Sequence, residues 1–118
     1  MASGTIKNPY KQETITVTVN TTDFTQEDWG YATGYVIGNI AYIYITGIKA
    51  KAKIPGGTTK NLATFSDSPS KIMFAYPVLD NSGNTSGRAL TTAGENVIKV
   101  TSVMSTSEYL IISAQIPV

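Results

Sequence analysis

The side chains that most often perform catalysis are scarce in this sequence. It contains no histidine and no cysteine, which excludes Ser-His-Asp and Cys-His nucleophilic machinery and removes the commonest ligands of transition metals. A glycosidase needs two carboxylates about 5 to 10 Å apart. The eight acidic residues are Glu13, Asp23, Glu27, Asp28, Asp67, Asp80, Glu95 and Glu108. All fall in predicted turns or at predicted strand ends, where charges are normally solvated, so we predict a protein that is not an enzyme and holds no metal or other cofactor.

Two polar clusters have residue types that can bind ions. The segment Asp80–Asn84 resembles a calcium loop, but it lacks the alternating acidic ligands and the terminal glutamate of a dedicated site. Its Asn and Gly residues are typical of a hairpin turn, which we favour. Lys49, Lys51 and Lys53 alternate along a strand and could bind an anionic ligand. Alternate lysines on an exposed or edge strand also discourage edge-to-edge aggregation, and this second interpretation is favoured.

Three aromatic residues, Trp29, Tyr31 and Tyr35, share one face of a predicted strand because side chains two apart point to the same side. Flat rings in a row are a surface on which sugar rings or a partner protein can stack. The same face could simply belong to the core, and we favour the core because aromatic side chains bury so much area.

The composition indicates one domain without a strong electrostatic field. The chain has 118 residues and a mass of 12.6 kDa, which suits a single compact domain. Residues 1–12 are polar and contain the turn signal Asn8-Pro9, so we interpret them as an arm or linker and residues 13–118 as the domain. A net charge of +1 with 14% charged residues argues against binding to nucleic acid or to an anionic membrane. No apolar run approaches the ~18 residues of a membrane span.

The hydrophobic pattern predicts an all-β protein. Ile15, Val17 and Val19 alternate with threonines, which is the period of a strand. Two strands, Trp29–Ile37 and Asn39–Lys53, should form a hairpin through Gly38-Asn39. Between the first strand and this hairpin, residues 20–28 should form a turn or one short helical turn. Five more strands are predicted at Leu62–Phe65, Ile72–Val78, Gly87–Thr92, Asn96–Val103 and Tyr109–Ile116. About eight strands with short connections indicate an antiparallel β-sandwich, jelly-roll-like in type.

The strand within Gly34–Ile48 is apolar on both faces, with Ile40, Tyr42, Tyr44 and Ile48 on one side and Ala41, Ile43 and Ile45 on the other. A sheet with one wet face should alternate cleanly, so we expect a core beneath this strand and a second subunit above it. The predicted oligomer interface is Ala41, Ile43 and Ile45. If Ile43 and Ile45 instead face the core, a bulge at Thr46-Gly47 must shift the register.

Several segments form an ordered pattern of strands and turns, namely Gly34–Ile43, Ile54–Thr58, Leu62–Phe65 with Pro69, Gly87–Val100 and the last strand, Tyr109–Ile116. This order resembles the C-terminal head domains of bacteriophage tail-fibre and baseplate receptor-binding proteins. The resemblance implies a β-sandwich that assembles as a homotrimer, contacts other virion proteins at the tail or baseplate, and binds a polysaccharide on the host cell surface. In that family the binding residues are not fixed by a motif.

For such a head we predict a shallow saccharide site in which ring faces stack on the sugar and polar groups hydrogen-bond its hydroxyls. The residues proposed for this ligand-binding role are Trp29, Tyr31, Asp80, Asn81, Asn84 and Arg88. Two other functions remain open: a purely structural virion assembly or decoration protein that binds no ligand, and a carbohydrate-binding module of a secreted cellular protein.

Overall fold

The chain folds into antiparallel β-strands. The computed structural model describes residues 11–66 and 69–118, and no helix occurs among them. The nine strands in these ranges are β1 (Gln12–Ile15), β2 (Val17–Val19), β3 (Phe24–Ile37), β4 (Ile40–Ala50), β5 (Lys60–Phe65), β6 (Phe74–Leu79), β7 (Thr85–Thr91), β8 (Val97–Thr101) and β9 (Leu110–Pro117). The all-β antiparallel prediction is confirmed. Most of the arm predicted at residues 1–12, and the acidic residue Asp67, lie outside the described residues, and Gln12 already begins β1.

The strands form one nearly closed sheet in the order β1-β3-β4-β9-β6-β7-β8-β5-β2. Its two outermost strands follow one another in the chain and are separated only by Thr16. β1 pairs with β3 and β2 pairs with β5, so a single segment, Gln12–Val19, reaches both edges of the sheet. Thr16 itself bonds across the junction, because its amide donates to Ser66 Oγ at 2.9 Å and its carbonyl accepts from the Ser66 amide at 2.9 Å. We call Gln12–Val19 the closing segment.

The predicted hairpin is confirmed, with β3 and β4 joined at Gly38-Asn39 and Tyr35 directly opposite Tyr42. For residues 20–28 the sequence predicted a turn or one short helical turn. The turn is present at residues 21–23, and the helical turn is not. Asn20 stabilises the turn, since its side-chain amide donates to Asp23 Oδ2 at 2.9 Å and its Oδ1 accepts from the Thr22 amide at 3.1 Å. Strand β3 begins at Phe24, where pairing with β4 starts to satisfy the backbone hydrogen bonds. The Phe24 side chain is fully buried.

The bulge expected at Thr46-Gly47 is present. The pairing of β4 with β9 shifts between Ile45 and Ile48, and Gly47 has a φ of 75°, a conformation that glycine adopts without steric cost. The shift places Ile45 and Ile48 in the core together, and both are completely buried.

The residues predicted as an oligomer interface, Ala41, Ile43 and Ile45, require a correction. They are at most 2% exposed within the single chain, so they have no surface to offer another subunit. The opposite face of β4 carries Tyr42 and Tyr44, and Ile48 has moved to the core through the bulge. The strand is therefore apolar on both faces because its core face is aliphatic and its outer face is aromatic.

Candidate functional site

Six aromatic rings lie along the outer face of the sheet formed by β3, β4 and β9. We call them the aromatic strip: Trp29, Tyr31, Tyr35, Tyr42, Tyr44 and Tyr109. The pleat places Tyr42 and Tyr44 there, because they alternate with the buried Ala41, Ile43 and Ile45, and the hairpin register sets Tyr35 opposite Tyr42. Trp29, Tyr31 and Tyr44 are 55%, 48% and 38% exposed. Such exposure is unusual for large rings, which normally fill cores or interfaces.

The hairpin register brings the strip's rings into contact. Tyr35 and Tyr42 are directly opposite one another, and their ring centroids are 5.2 Å apart at an interplanar angle of 16°. Tyr31 lies beside Tyr44 at 5.6 Å with a tilt of 38°. Because Tyr35 and Tyr42 stack on each other, what they present outward is mainly hydroxyl groups and ring edges. Tyr31 keeps more of its surface open.

A second bulge places Trp29 at one end of the strip. Gln26 pairs with Ile48 and Tyr31 pairs with Thr46. Four residues of β3, 27–30, therefore lie opposite the single residue Gly47 of β4. Gln26 closes this bulge by donating from Nε2 to the Gly30 carbonyl at 2.9 Å. Trp29 lies over Gly47 and meets Tyr109 edge to face at 4.9 Å. The close approach of Gly30 to Gly47 leaves no room for a side chain at either position.

Lys49 and Glu27, near Trp29, are paired with each other. Lys49 Nζ lies 3.7 Å from Glu27 Oε1 and 4.4 Å from the centre of the Tyr109 ring, a cation–π distance. Strand β4 lies inside the sheet, so Lys49 does not protect a sheet edge as the sequence suggested. Lys51 and Lys53 follow the end of β4, and Lys51 donates to the Thr21 carbonyl at 2.8 Å.

A shallow hollow of about 270 Å³ lies at the end of the strip away from Trp29, around Tyr35, Tyr42 and Tyr44. Its side-chain lining is uncharged and rich in hydroxyl and amide groups, with Thr33, Tyr35, Tyr42, Tyr44, Ser113 and Gln115. Aromatic surface edged by hydroxyl and amide groups suits a ligand that is apolar on its faces and polar at its rim. We call this the tyrosine hollow.

The structure separates the six predicted ligand-binding residues into two groups. Trp29 and Tyr31 belong to the aromatic strip, and their exposure shows that the favoured core interpretation of this face was wrong. Asp80, Asn81 and Asn84 form the turn between β6 and β7, and Arg88 lies on β7. Among the described residues, no hydrogen bond, ion pair or ring contact joins the two groups. Both nevertheless lie at the end of the nearly closed sheet where β3 and β7 begin and β4 and β6 end.

The segment Asp80–Asn84 is a hairpin turn, as the sequence indicated. Asp80 Oδ1 accepts hydrogen bonds from the Ser82 and Asn84 amides, both at 2.9 Å, and the Asp80 amide donates to the Asn84 carbonyl at 2.8 Å. The Asp80 carboxylate therefore serves the turn. Within the described ranges, no cluster of three or more acidic side chains could hold a metal ion.

Sequence reasoning missed three members of the strip, Tyr42, Tyr44 and Tyr109. The signal for two of them was available, since a two-residue turn at Gly38-Asn39 fixes Tyr35 opposite Tyr42. That signal does not decide which face of β4 is outward, because Tyr42 and Tyr44 alternate with isoleucines that are equally suited to the core. Tyr109 joins the strip through the pairing of β4 with β9, which is distant in sequence.

Comparisons of the chain with family models, with curated proteins and with solved structures gave no significant match. In the described part of the chain, no helix has the length and apolar character needed to cross a membrane.

Proposed function

We propose that this protein is a non-catalytic saccharide-binding head and that the aromatic strip with its tyrosine hollow is the binding surface. The observation that carries the proposal is the exposure of Trp29 and Tyr31, at 55% and 48%, beside an uncharged hollow lined by hydroxyl and amide groups. Exposed rings gain contact area when a sugar face covers them, while tyrosine hydroxyls and the Gln115 amide can hydrogen-bond the sugar's rim. The extended strip suits a polymer better than a single small molecule.

The resemblance to phage receptor-binding heads extends this proposal to a setting. In that setting the protein is part of a phage tail fibre or baseplate and faces outward from the virion. It assembles as a homotrimer and attaches to a polysaccharide of the host cell surface. Ala41, Ile43 and Ile45 are buried in the chain's own core, so they cannot form the contacts between the subunits of a trimer. Any subunit contact on this side of the sheet would use the strip's outer rings.

Trp29 provides a direct test because it is the only tryptophan in the sequence and belongs to the strip. Purified bacterial surface polysaccharides should change the Trp29 fluorescence as they cover the ring. The double variant Trp29→Ala/Tyr31→Ala should lose binding by about tenfold or more in affinity electrophoresis, since tenfold corresponds to about 1.4 kcal/mol.

Met73→Ala is the matched control, because Met73 is an exposed apolar side chain, 74% accessible, outside the strip. It should bind like the unmodified protein. Polysaccharide binding that survives the double variant, or that is lost equally in the control, would contradict the proposal.

A purely structural role is the second candidate, and one observation favours it. Apart from the Lys49–Glu27 pair, the strip's contacts are uncharged, and tyrosine and tryptophan are enriched where subunits meet. Acrylamide quenching of Trp29, read together with the mass from light scattering, separates the two functions. A mass three times 12.6 kDa combined with a Trp29 shielded from acrylamide would make the strip a subunit interface, while a Trp29 open to acrylamide leaves it free for saccharide.

A further inference from the structure

A second concave surface lies apart from the aromatic strip, beside Arg88. It is an open depression of about 580 Å³ between the first residues of β7 and the segment that follows β8. The lining residues are Thr85, Ser86, Gly87, Arg88, Ser102, Met104 and Ser105. No residue of the strip contributes to it, so it is a separate site.

The backbone beneath the depression is held in an unusual conformation. Ser102 has a φ of 59°, the single positive φ among the described residues other than glycine, and non-glycine residues enter this region at a cost in free energy. Both of its neighbours are fixed, because the Ile54 amide donates to the Val103 carbonyl at 2.7 Å and Thr101 Oγ1 donates to the Pro55 carbonyl at 3.2 Å. The Ser102 conformation is therefore imposed by its surroundings.

Close backbone contact makes the depression possible. The register pairs Arg88 with Thr101, which brings Gly87 against the segment from Thr101 to Val103. A Cβ at Gly87 would lie 2.7 Å from Val103 Cγ2 and 3.1 Å from the Thr101 carbonyl oxygen. Glycine at this position lets the two segments meet, so that Arg88 and Ser102 line the same hollow.

Arg88 is exposed and makes no ion pair with any carboxylate in the described part of the chain, where the ion pairs are Lys49–Glu27 and Lys99–Glu95. A guanidinium offers a planar fork of donors that matches the two oxygens of a carboxylate or phosphate. Serine and threonine hydroxyls surround it, and the half-exposed Met104 supplies an apolar wall. This combination suits an anionic group attached to a small polar ligand.

We propose that the Arg88 depression is a binding subsite for one anionic group, a carboxylate or a phosphate, such as an acidic sugar or a sugar phosphate carries. Arg88 pairs with the two anionic oxygens, and the hydroxyls of Ser86 and Ser102 donate to the ligand's remaining oxygens. The site goes beyond the proposed strip function and does not depend on it.

The experiment is an amide ¹H–¹⁵N titration of the whole protein with three separate probes, glucuronate, inorganic phosphate and neutral glucose. An anionic probe should shift the Gly87 and Ser102 amide signals saturably, and glucose should not. Arg88→Gln should weaken this binding about tenfold or more, and Arg88→Lys should weaken it less, because lysine keeps the charge and loses the fork.

Lys53→Gln is the matched charge control, since Lys53 lines a different hollow, and it should leave the shifts unchanged. Glucuronate binding without phosphate binding assigns the site to carboxylates, and the reverse assigns it to phosphates. Absence of saturable shifts with both anions, equal shifts with glucose, or unchanged binding by a folded Arg88→Gln protein would overturn the proposal. The double variant Trp29→Ala/Tyr31→Ala should retain these shifts, so failure of the strip proposal is distinguishable from failure of this one.

Discussion

The two faces of strand β4 are both hydrophobic, one aliphatic and one aromatic, but only the aliphatic face is buried. On the inner face Ala41, Ile43 and Ile45 are at most 2% exposed, whereas on the outer face Tyr44 is 38% exposed. An isoleucine has no polar atom and gains only by burial, while a tyrosine combines a large ring with a hydroxyl that stays hydrated. The difference shows that a tyrosine cannot be counted as equivalent to an isoleucine when the core face of a strand is predicted.

The comparison also removes the need for a second subunit above β4. An aromatic face does not have to be covered by protein as an aliphatic face does. Tyrosines packed in pairs cover part of one another, as Tyr35 and Tyr42 do at 5.2 Å, and their hydroxyls remain in contact with water. An outer face of this kind can be hydrated without a covering subunit.

Truncating the inner face should have the largest effect on stability. Ile45→Ala should lower the free energy of unfolding by about 2 to 5 kcal/mol, because Ile45 is completely buried and its removal leaves a cavity. Tyr44→Ala, one residue away on the outer face, should cost less than about 1 kcal/mol, the range of a cross-strand pair. Denaturant unfolding of both variants measures the contrast. Equal losses would mean that the outer face is structurally as important as the core.

Adding a methyl group at the bulge should have the next largest effect. Gly47→Ala should cost about 2 to 4 kcal/mol, from left-handed backbone strain and from overpacking, because its new Cβ would lie 2.5 Å from the Gly30 Cα. The bulge assigns Ile45 and Ile48 to the same face, so this variant tests what separates inner from outer residues.

Gly83→Ala is the control for the Gly47 variant. Gly83 also has a positive φ, of 85°, but a Cβ there would meet nothing within 4 Å. Its loss in unfolding free energy should be about 1 kcal/mol, from backbone strain alone. If Gly47→Ala and Gly83→Ala lower the free energy of unfolding equally, the close approach of Gly47 to Gly30 does not contribute to stability.

A buried tyrosine on the inner side of the sheet should have a smaller effect than the core and bulge variants, and it contrasts directly with the tyrosines of the strip. Tyr76 is 8% exposed and donates its hydroxyl hydrogen to the Gln115 carbonyl at 2.6 Å. Tyr76→Phe should therefore cost about 1 to 2 kcal/mol at neutral pH.

Burial also raises the pKa of Tyr76 above its ordinary value of 10.0. A raised pKa in the folded state means that the contribution of this group to stability is complete below about pH 10. It is lost as the pH rises through the folded pKa, because the unfolded chain releases the proton more readily. Thermal melts from pH 8 to 12 should show a steeper alkaline loss for the unmodified protein than for Tyr76→Phe. Parallel curves would contradict the assignment of alkaline sensitivity to Tyr76.

Local patterns predicted the β3–β4 part of the fold well. The hairpin at Gly38-Asn39 and the bulge at Gly47 follow from turn chemistry and from period-2 alternation, both of which act over a few residues. The strand from Phe24 was missed because its residues Gln26, Glu27 and Asp28 have helix-start character, and pairing with β4 overrides it. The split of the first strand at Thr16 has no local signal, since it arises from pairing with two distant strands.

The candidate site was harder to predict than the fold. Trp29 and Tyr31 were selected from their spacing on one strand, and their neighbours Tyr44 and Tyr109 come from other strands. The Asp80 carboxylate has the chemistry to bind sugar hydroxyls, but the Ser82 and Asn84 amides of the turn already occupy it at 2.9 Å. Arg88 was chosen as a partner for sugar hydroxyls, and its depression depends on Gly87 and Ser102, whose close contact no sequence pattern encodes.

The closing segment Gln12–Val19 has a consequence for how the chain reaches its folded state. It cannot dock until β3 and β5 are both in place, and β5 lies far along the sequence from it. Such non-local pairings are slow because loop entropy is lost before any contact is gained. Until the segment docks, β3 and β5 keep open edges that can pair with other chains. The interval before closure is therefore when a nascent or refolding chain is most prone to aggregate.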